Sequence, residues 1–183
     1  NEYLSNQITN GSELRDKITS MRGLTPLYRI RELIQKRNRN EKYKNASLTF
    51  IYPFIDNQYK NDIFKDIKSI DADLGRVERS IMYKIFMQTK ISFSIPVSDS
   101  SPRSVYEAIF CGSVVAITYN PYYDILPLCM KSRIIIIDLN NPDWFEDAVT
   151  KANFMQKTLF IPSKKALDLF DQKKSFKKIA NLY

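Results

Sequence analysis

Two kinds of segment follow one another along the chain: short hydrophobic runs, and stretches in which apolar residues recur at helical spacing. Short runs rich in β-branched residues occupy 17–21, 47–52, 91–95, 113–118 and 133–139, and their length and composition are typical of strands. The runs 114–117 and 134–137 are apolar without alternation, which indicates strands buried on both faces of a parallel sheet. Residues 71–75 are predicted to form a turn or a very short strand.

Between these runs, apolar residues recur at helical spacing. The spacing predicts helices over 25–38, 57–70, 77–89, 102–111 and 143–155, and over most of 163–183. Thr25-Pro26 and Ser101-Pro102 each place an N-cap residue before a proline at the first helical position, and Gly112 occupies the position of a helix C-cap. Strands that alternate with helices predict an α/β fold, an open Rossmann-like parallel sheet with helices on both faces.

The domain organisation follows from the same pattern. Residues 1–16 are polar and weakly patterned, which predicts a lead-in or linker, and residues 17–183 are predicted to form one domain. In such sheets ligands bind at the carboxyl ends of the strands, near the point where the strand order reverses. The loops that follow Met21, Tyr52, Ile95 and Thr118 are therefore the candidate functional loops.

Composition excludes several function classes. The 183 residues contain no His, which excludes His-dependent nucleophilic catalysis and His metal sites within this chain. Four scattered Gly residues form no dinucleotide fingerprint or P-loop, and two Cys residues form neither a zinc site nor a disulfide framework. No apolar run reaches the ~18 residues of a membrane span, and no metal is expected.

The net charge of +8 favours an anionic ligand of some kind. Nucleic acid, anionic lipid and phosphorylated small molecules all fit this balance. Basic residues cluster at 29–44 and 173–178. Each cluster fits a solvated helix face, and the second also fits contact with an anionic membrane surface.

The richest chemistry lies in the loop and helix at 96–108. The predicted helix N-terminus offers free backbone N–H groups, to which four serines and Arg103 add donors. Two carboxylates, Asp99 and Glu107, stand eight positions apart. Glu107 lies among apolar residues, where a carboxylate is costly unless it is paired or binds a ligand. The residues predict either an anion pocket with an internal carboxylate that accepts from sugar hydroxyls, or a merely capped helix with Glu107 facing water.

The stretch 98–116 resembles the signature of group-1 (family 4) GT-B glycosyltransferases. There, two acids eight positions apart precede a glycine and a strand that ends Val-(Val/Ile)-Ala. Asp99 stands at the first acid, which is usually Glu, Glu107 stands at the second, and Val114 replaces the usual Pro. The segment 20–34 resembles the first strand, loop and helix of the same donor domain, and the likeness extends weakly over 17–183.

This resemblance implies a domain that binds a nucleotide sugar. Asp99 and Glu107 would be the catalytic carboxylates, with Glu107 on the ribose hydroxyls and Asp99 on hydroxyls of the donor sugar. Backbone and side-chain groups around the serines would meet the diphosphate, and Arg22 would neutralise it. The candidate donor-binding residues are Arg22, Arg29, Ser100, Ser101, Arg103, Ser104 and Asn120.

The resemblance also implies partners. The donor would be a UDP- or GDP-linked sugar, transferred with retention and without a metal cofactor to a glycan or lipid-linked acceptor. Because family members bind the acceptor largely through an N-terminal domain, we expect this chain to be the C-terminal half of a bacterial hexosyltransferase, inactive alone. Its expected location is the cytoplasm or the inner face of the membrane, in polysaccharide biosynthesis.

A non-catalytic α/β binding module for nucleotide or nucleic acid is the alternative. A receiver domain is disfavoured because the strand ends offer Arg22, Pro53, Ser98 and Tyr119 instead of an acidic cluster. Aromatic and basic residues interleave loosely over 28–44, as in nucleic-acid domains. No nucleic-acid partner is expected from the glycosyltransferase interpretation.

Overall fold

A six-stranded parallel sheet organises the protein. The computed structural model describes residues 15–99 and 102–171. The sheet order is β3-β2-β1-β4-β5-β6, and every pairing is parallel. The strands are β1 Lys17–Ser20, β2 Leu48–Ile51, β3 Ala72–Gly75, β4 Thr89–Ser94, β5 Val114–Thr118 and β6 Ile134–Ile137. The predicted fold class is confirmed.

Seven α-helices fall within the described residues. They are α1 Ile30–Arg39, α2 Asn57–Ile63, α3 Arg79–Gln88, α4 Arg103–Phe110, α5 Leu128–Lys131, α6 Trp144–Met155 and α7 Lys164–Phe170. Single 3₁₀ turns occupy Pro26–Tyr28, Phe64–Asp66 and Pro121–Tyr123. The lead-in predicted for 1–16 and the helix predicted beyond 171 lie almost wholly outside the described residues.

The sheet separates two hydrophobic cores. On one face α1, α2 and α6 pack over Ile18, Phe50 and Phe93. On the other face α3, α4, α5 and α7 pack over Val115 and Ile117. Strands with a core on each face need no polar alternation, which is the pattern that the sequence showed.

The edge strand β6 departs from that burial in one position. Ile136 is 39% exposed, although the residues on either side of it are buried. β6 lies at the edge of the described sheet, where it pairs with β5.

The strand order reverses between β1 and β4. From β1 the chain builds β2 and β3 on one side, and it then returns to place β4 on the other side of β1. Ile18 is in register with Leu48 on β2 and with Ile91 on β4. The loops that leave the carboxyl ends of β1 and β4 therefore lie side by side, where a ligand site is expected.

The first predicted helix is corrected by the structure. A single helix was expected from Thr25, but the side chain of Thr25 makes no cap hydrogen bond and Pro26–Tyr28 form a 3₁₀ turn. Arg29 then adopts a left-handed conformation with φ 50°, and α1 begins at Ile30. The Arg29 guanidinium donates to the carbonyl of Pro96 at 3.0 Å, a contact that offsets the ~1 kcal/mol cost of this backbone.

Two further helix boundaries differ from prediction. The helix predicted over 57–70 ends at Ile63, where the 3₁₀ turn Phe64–Asp66 follows, and Asp71 beyond it accepts backbone N–H bonds from Lys68 and Leu48. Pro102 was expected at the first helical position, but its carbonyl accepts from Val105 N–H, so it caps α4 and the helix begins at Arg103.

A buried ion pair ties α1 to the start of β3. The guanidinium of Arg37 forms two hydrogen bonds with the carboxylate of Asp71, one of them 2.8 Å long, and both side chains are fully buried. Arg37 also donates to the carbonyl of Ala46 at 2.6 Å. No helix among residues 15–99 and 102–171 is both long enough and apolar enough to cross a membrane.

Candidate functional site

A cleft opens at the carboxyl edge of the sheet, where the strand order reverses. Its volume is about 770 Å³, and the loops after β1, β2, β3 and β4 line it together with the first turns of α3 and α4. Of the four loops predicted to carry function, those after β1, β2 and β4 line this cleft. The loop after β5 supports it from behind, through Asn120.

The loop after β1 is held in place by the loop after β2. Leu24 donates its backbone N–H to Phe54 at 3.1 Å and accepts one from Asp56 at 2.9 Å. A Cβ at Gly23 would lie 2.2 Å from the ring of Phe54, so a side chain at this position would have to displace that half-exposed ring. These contacts fix the chain on the C-terminal side of Arg22.

Arg22 is the central cation of the cleft. Its Nη2 lies 2.6 Å from Oδ2 of Asp99, and its Nη1 donates to the hydroxyl of Ser104 at 3.1 Å. The guanidinium carbon lies 4.6 Å from the ring centre of Tyr28. The fold thus brings together three predicted site residues from two segments, and it leaves the Arg22 and Asp99 side chains only 11% exposed.

Two other predicted donor-binding residues support the loop after β4. The side-chain oxygen of Asn120 accepts the backbone N–H of Asp99 at 2.8 Å, and its amide donates to the carbonyl of Thr118 at 3.1 Å. Arg29 donates to the carbonyls of Ile95 and Pro96. The structure places neither side chain on the wall of the cleft.

Glu107 is half enclosed on the wall of the cleft. Its side chain is 17% exposed, its Oε1 accepts from the hydroxyl of Tyr83 at 3.1 Å, and the same oxygen lies 3.7 Å from Nε of Arg79. The alternative of a solvent-facing Glu107 is therefore wrong. Burial raises the pKa of the Glu107 carboxyl, while Arg79, Tyr83 and Arg103 oppose that rise.

The N-terminus of α4 faces the same cleft. Pro102, Arg103 and Ser104 line it, and the first backbone N–H groups of a helix have no partner within the helix. Ser100 and Ser101, the other two predicted phosphate contacts, lie outside the described residues. The arrangement combines oriented N–H groups with nearby cations, which is the chemistry of an anion site.

Sequence reasoning missed two cations that lie between β3 and α3. Arg76, in the loop, and Arg79, the first residue of α3, both line the cleft. The sequence did contain a signal for these residues. If 71–75 is a strand, the loop after it lies at the carboxyl edge of the sheet with the other candidate loops, but the segment was predicted to be either a turn or a very short strand. Tyr83 was also missed, because nothing in the local sequence shows that α3 packs beside Glu107.

Among residues 15–99 and 102–171, no three His, Cys, Asp or Glu side chains are grouped so that they could hold a metal ion. Both cysteines are free thiols, and Cys111 is buried whereas Cys129 is only partly so. The site is thus an assembly of arginines, carboxylates, hydroxyls and one helix end.

Comparison with known proteins points to one class of fold. A scan of protein-family models and a sequence search of curated proteins both gave no match. Among solved structures, the glycosyltransferase AviGT4 of avilamycin A biosynthesis superposes with a TM-score of 0.61 at 14% identity, over 94% of this chain and 53% of that chain. This chain shares the fold of one part of a GT-B glycosyltransferase.

Two further enzymes share the fold. S. aureus TarM, in a complex with UDP, alpha-GlcNAc-glycerol and fondaparinux, gives a TM-score of 0.70 at 19% identity, over 96% of this chain and 37% of that chain. An alpha,alpha-trehalose-phosphate synthase (UDP-forming) from Burkholderia vietnamiensis gives 0.67 at 12% identity, over 98% and 47%. This chain therefore spans about half the length of these glycosyltransferases or less.

Proposed function

We propose that this chain is the donor-binding lobe of a glycosyltransferase that uses a nucleoside-diphosphate sugar. One observation carries the proposal: Arg22, Asp99 and Ser104 meet at the strand-order reversal, beside the N-terminus of α4 and next to Glu107. An anion site and a carboxylate acceptor in one cleft match a ligand that has both a diphosphate and sugar hydroxyls. The shared fold with UDP-binding and UDP-forming glycosyltransferases supports it.

Each group has a distinct task in this proposal. The diphosphate is bound by Arg22, Arg103 and the first N–H groups of α4. These groups stabilise the negative charge that develops on the diphosphate as its bond to the donor sugar breaks. Glu107 accepts hydrogen bonds from the ribose hydroxyls. Ser104, with Ser100 and Ser101, adds hydroxyl donors to the phosphate oxygens.

Asp99 changes partner when the donor binds. In the structure its carboxylate neutralises Arg22 at 2.6 Å. A diphosphate competes for the same guanidinium, and charge-assisted bonds from Arg to phosphate are strong and bidentate. Asp99 is then released to accept from hydroxyls of the donor sugar, as its position in the acidic pair implies.

The finer parts of the proposal concern the whole enzyme. The sugar is transferred with retention from the diphosphate oxygen to an acceptor hydroxyl, as in family 4, and no metal takes part. The acceptor, a glycan or a lipid-linked sugar, binds a second lobe, so this C-terminal lobe binds nucleotide without turning it over. The basic segment 173–178, a candidate membrane contact, lies outside the described residues.

Thermal unfolding with ligands tests the proposal. UDP, GDP and ADP are added separately to the protein, and a single-stranded DNA oligonucleotide tests the nucleic-acid alternative. At a hundred times its dissociation constant, a ligand of the folded state adds about 2.7 kcal/mol, which raises the Tm by ~5–10 °C for a domain of this size. We expect this rise with at least one nucleotide.

Two variants locate the binding. Glu107→Ala is expected to remove most of the rise, whereas Glu41→Ala is expected to keep it, because Glu41 is an 86% exposed carboxylate in the loop after α1. The proposal is wrong if no nucleotide raises the Tm, or if the rise is unchanged in Glu107→Ala. Stabilisation by DNA alone would favour the nucleic-acid module instead.

A further inference from the structure

Tyr83 stands behind Glu107, outside the wall of the cleft. It lies on α3, and its hydroxyl donates to Oε1 of Glu107 on α4 at 3.1 Å, across 24 residues of sequence. Neighbouring α3 residues Arg79 and Met82 line the cleft, but Tyr83 does not. Any effect of Tyr83 on a ligand in the cleft is therefore transmitted through Glu107.

Both contacts of the Glu107 carboxylate fall on the same oxygen. Tyr83 and Arg79 approach Oε1, and no hydrogen bond joins Oε2 to any of the described residues. A glutamate side chain has three rotatable bonds, and a hydrogen bond to one carboxylate oxygen restricts the last of them. The phenol thus sets the plane of the carboxylate and leaves Oε2 available to a ligand.

The phenol is suited to be a constant donor. Burial and the nearby Glu107 carboxylate raise the pKa of Tyr83 to about 12, so its hydroxyl keeps its proton over the whole working range of a protein. Its aromatic ring is rigid, so little conformational entropy is lost in holding it.

We propose that Tyr83 is a positioning residue that orients Glu107 toward the ribose hydroxyls of the bound nucleotide. The inference rests on the proposed function, because it needs Glu107 to bind the ribose. It adds a residue from the β3–α3 side of the fold, which no acidic motif points to, and it predicts a dependence on two specific hydroxyl groups of the ligand.

Binding of UDP and of 2′,3′-dideoxy-UDP, measured by calorimetry, tests the inference. Tyr83→Phe removes only the hydroxyl, and it is expected to weaken UDP binding about three- to tenfold, which is the usual effect of losing one hydrogen bond. Binding of dideoxy-UDP is expected to change less than about twofold, since that ligand has no hydroxyls for Glu107 to accept from.

A matched control makes the same chemical change elsewhere. Tyr43→Phe removes a hydroxyl that lies 3.5 Å from Thr150 on the other side of the sheet, and it is expected to leave both affinities unchanged. If Tyr83→Phe weakens the binding of both ligands equally, or of neither, the inference is wrong. This outcome is distinct from failure of the proposed function, because wild-type UDP binding would still depend on Glu107.

The pH profile separates positioning from packing. The groups that face Glu107 are Tyr83 and Arg79 from α3, Arg103 from the start of α4, and Cys111, which follows the end of α4. The hydrogen bond from Tyr83 lowers the pKa of Glu107, so its loss should start the acid decline of UDP affinity at a higher pH. Equal wild-type binding of UDP and dideoxy-UDP would count against the ribose role of Glu107, and both proposals would fall together.

Discussion

Glu107 shows at the residue scale how a binding group costs stability. Its carboxylate is removed from water on the inner side of the cleft, and the partial compensation by Arg79 and Tyr83 leaves its pKa raised. A folded-state pKa above the unfolded value means that the native protein binds the proton more tightly. Ionisation of the Glu107 carboxyl, which ligand binding needs, therefore lowers the free energy of unfolding.

Substitution of this carboxylate should separate stability from binding. Since the pKa of Glu107 is raised, the wild type loses stability as the pH rises from about the ordinary value of 4.5 through the raised folded value, and the loss persists at pH 7. Glu107→Gln should therefore have an equal or higher Tm than the wild type at pH 7, a gain that disappears in acid. Nucleotide affinity should fall in the same variant.

Melting curves from pH 4 to pH 8 measure this difference. Asp62→Asn, at a carboxylate that is 51% exposed on the surface, is the control for a general change of charge. A Glu107→Gln protein that melts below the wild type at pH 7, with the gap growing toward neutral pH, would mean that the carboxylate stabilises the fold instead.

At the scale of elements, the cleft is built by pairs of loops that brace each other. The loop after β1 is tied to the loop after β2, and the loop after β4 is tied to the end of β5 by Asn120. Asn120 is 5% exposed. Its amide therefore acts as a buried bridge, and the sequence resemblance had placed it among the ligand contacts.

Removal of that bridge should weaken both fold and site. Asn120→Ala leaves the Asp99 N–H and the Thr118 carbonyl without their partner, and a buried unsatisfied group costs ~1–3 kcal/mol, or ~2–10 °C in Tm. Nucleotide affinity should fall as well, because the loop that carries Asp99 is released. Asn140→Ala, on an exposed turn, should change neither Tm nor affinity, and matching losses in both variants would contradict the role of Asn120.

At the scale of the whole molecule, one buried ion pair holds the half of the sheet that is remote from β4. Arg37 and Asp71 are both 0% exposed, and they join α1, the turn before β3 and the start of β2. A buried pair of this kind is weak proof of net stability, but breaking it leaves a charge that cannot be solvated.

Arg37→Met should therefore be strongly destabilising. We expect a loss of about 3–5 kcal/mol, or ~6–20 °C in Tm, measured by urea and thermal unfolding. Arg31→Met breaks the exposed pair with Asp62, and it should cost no more than about 1 kcal/mol. Similar losses in the two variants would mean that the buried pair is no more important than a surface one.

Much of this architecture was determined by the sequence alone. The unalternating apolar runs 114–117 and 134–137 indicated strands between two layers of helices, and the structure confirms this except at Ile136 on the edge strand. The loops that follow Met21 and Ile95 were among the four candidate functional loops, because ligands bind at the carboxyl ends of parallel strands. Asp99 and Glu107 were identified from their local motif, since both stand in one continuous loop and helix.

Other features were decided only by the tertiary structure. Arg29 was expected at the phosphate, but the carbonyls of Ile95 and Pro96 engage it and a left-handed backbone interrupts the first helix. The contacts from Arg22 to Asp99 and from Tyr83 to Glu107 join separate segments, and no local propensity encodes them. The physical reason is that periodicity reports which face of an element is buried, whereas packing alone decides which side chain meets which across the cleft.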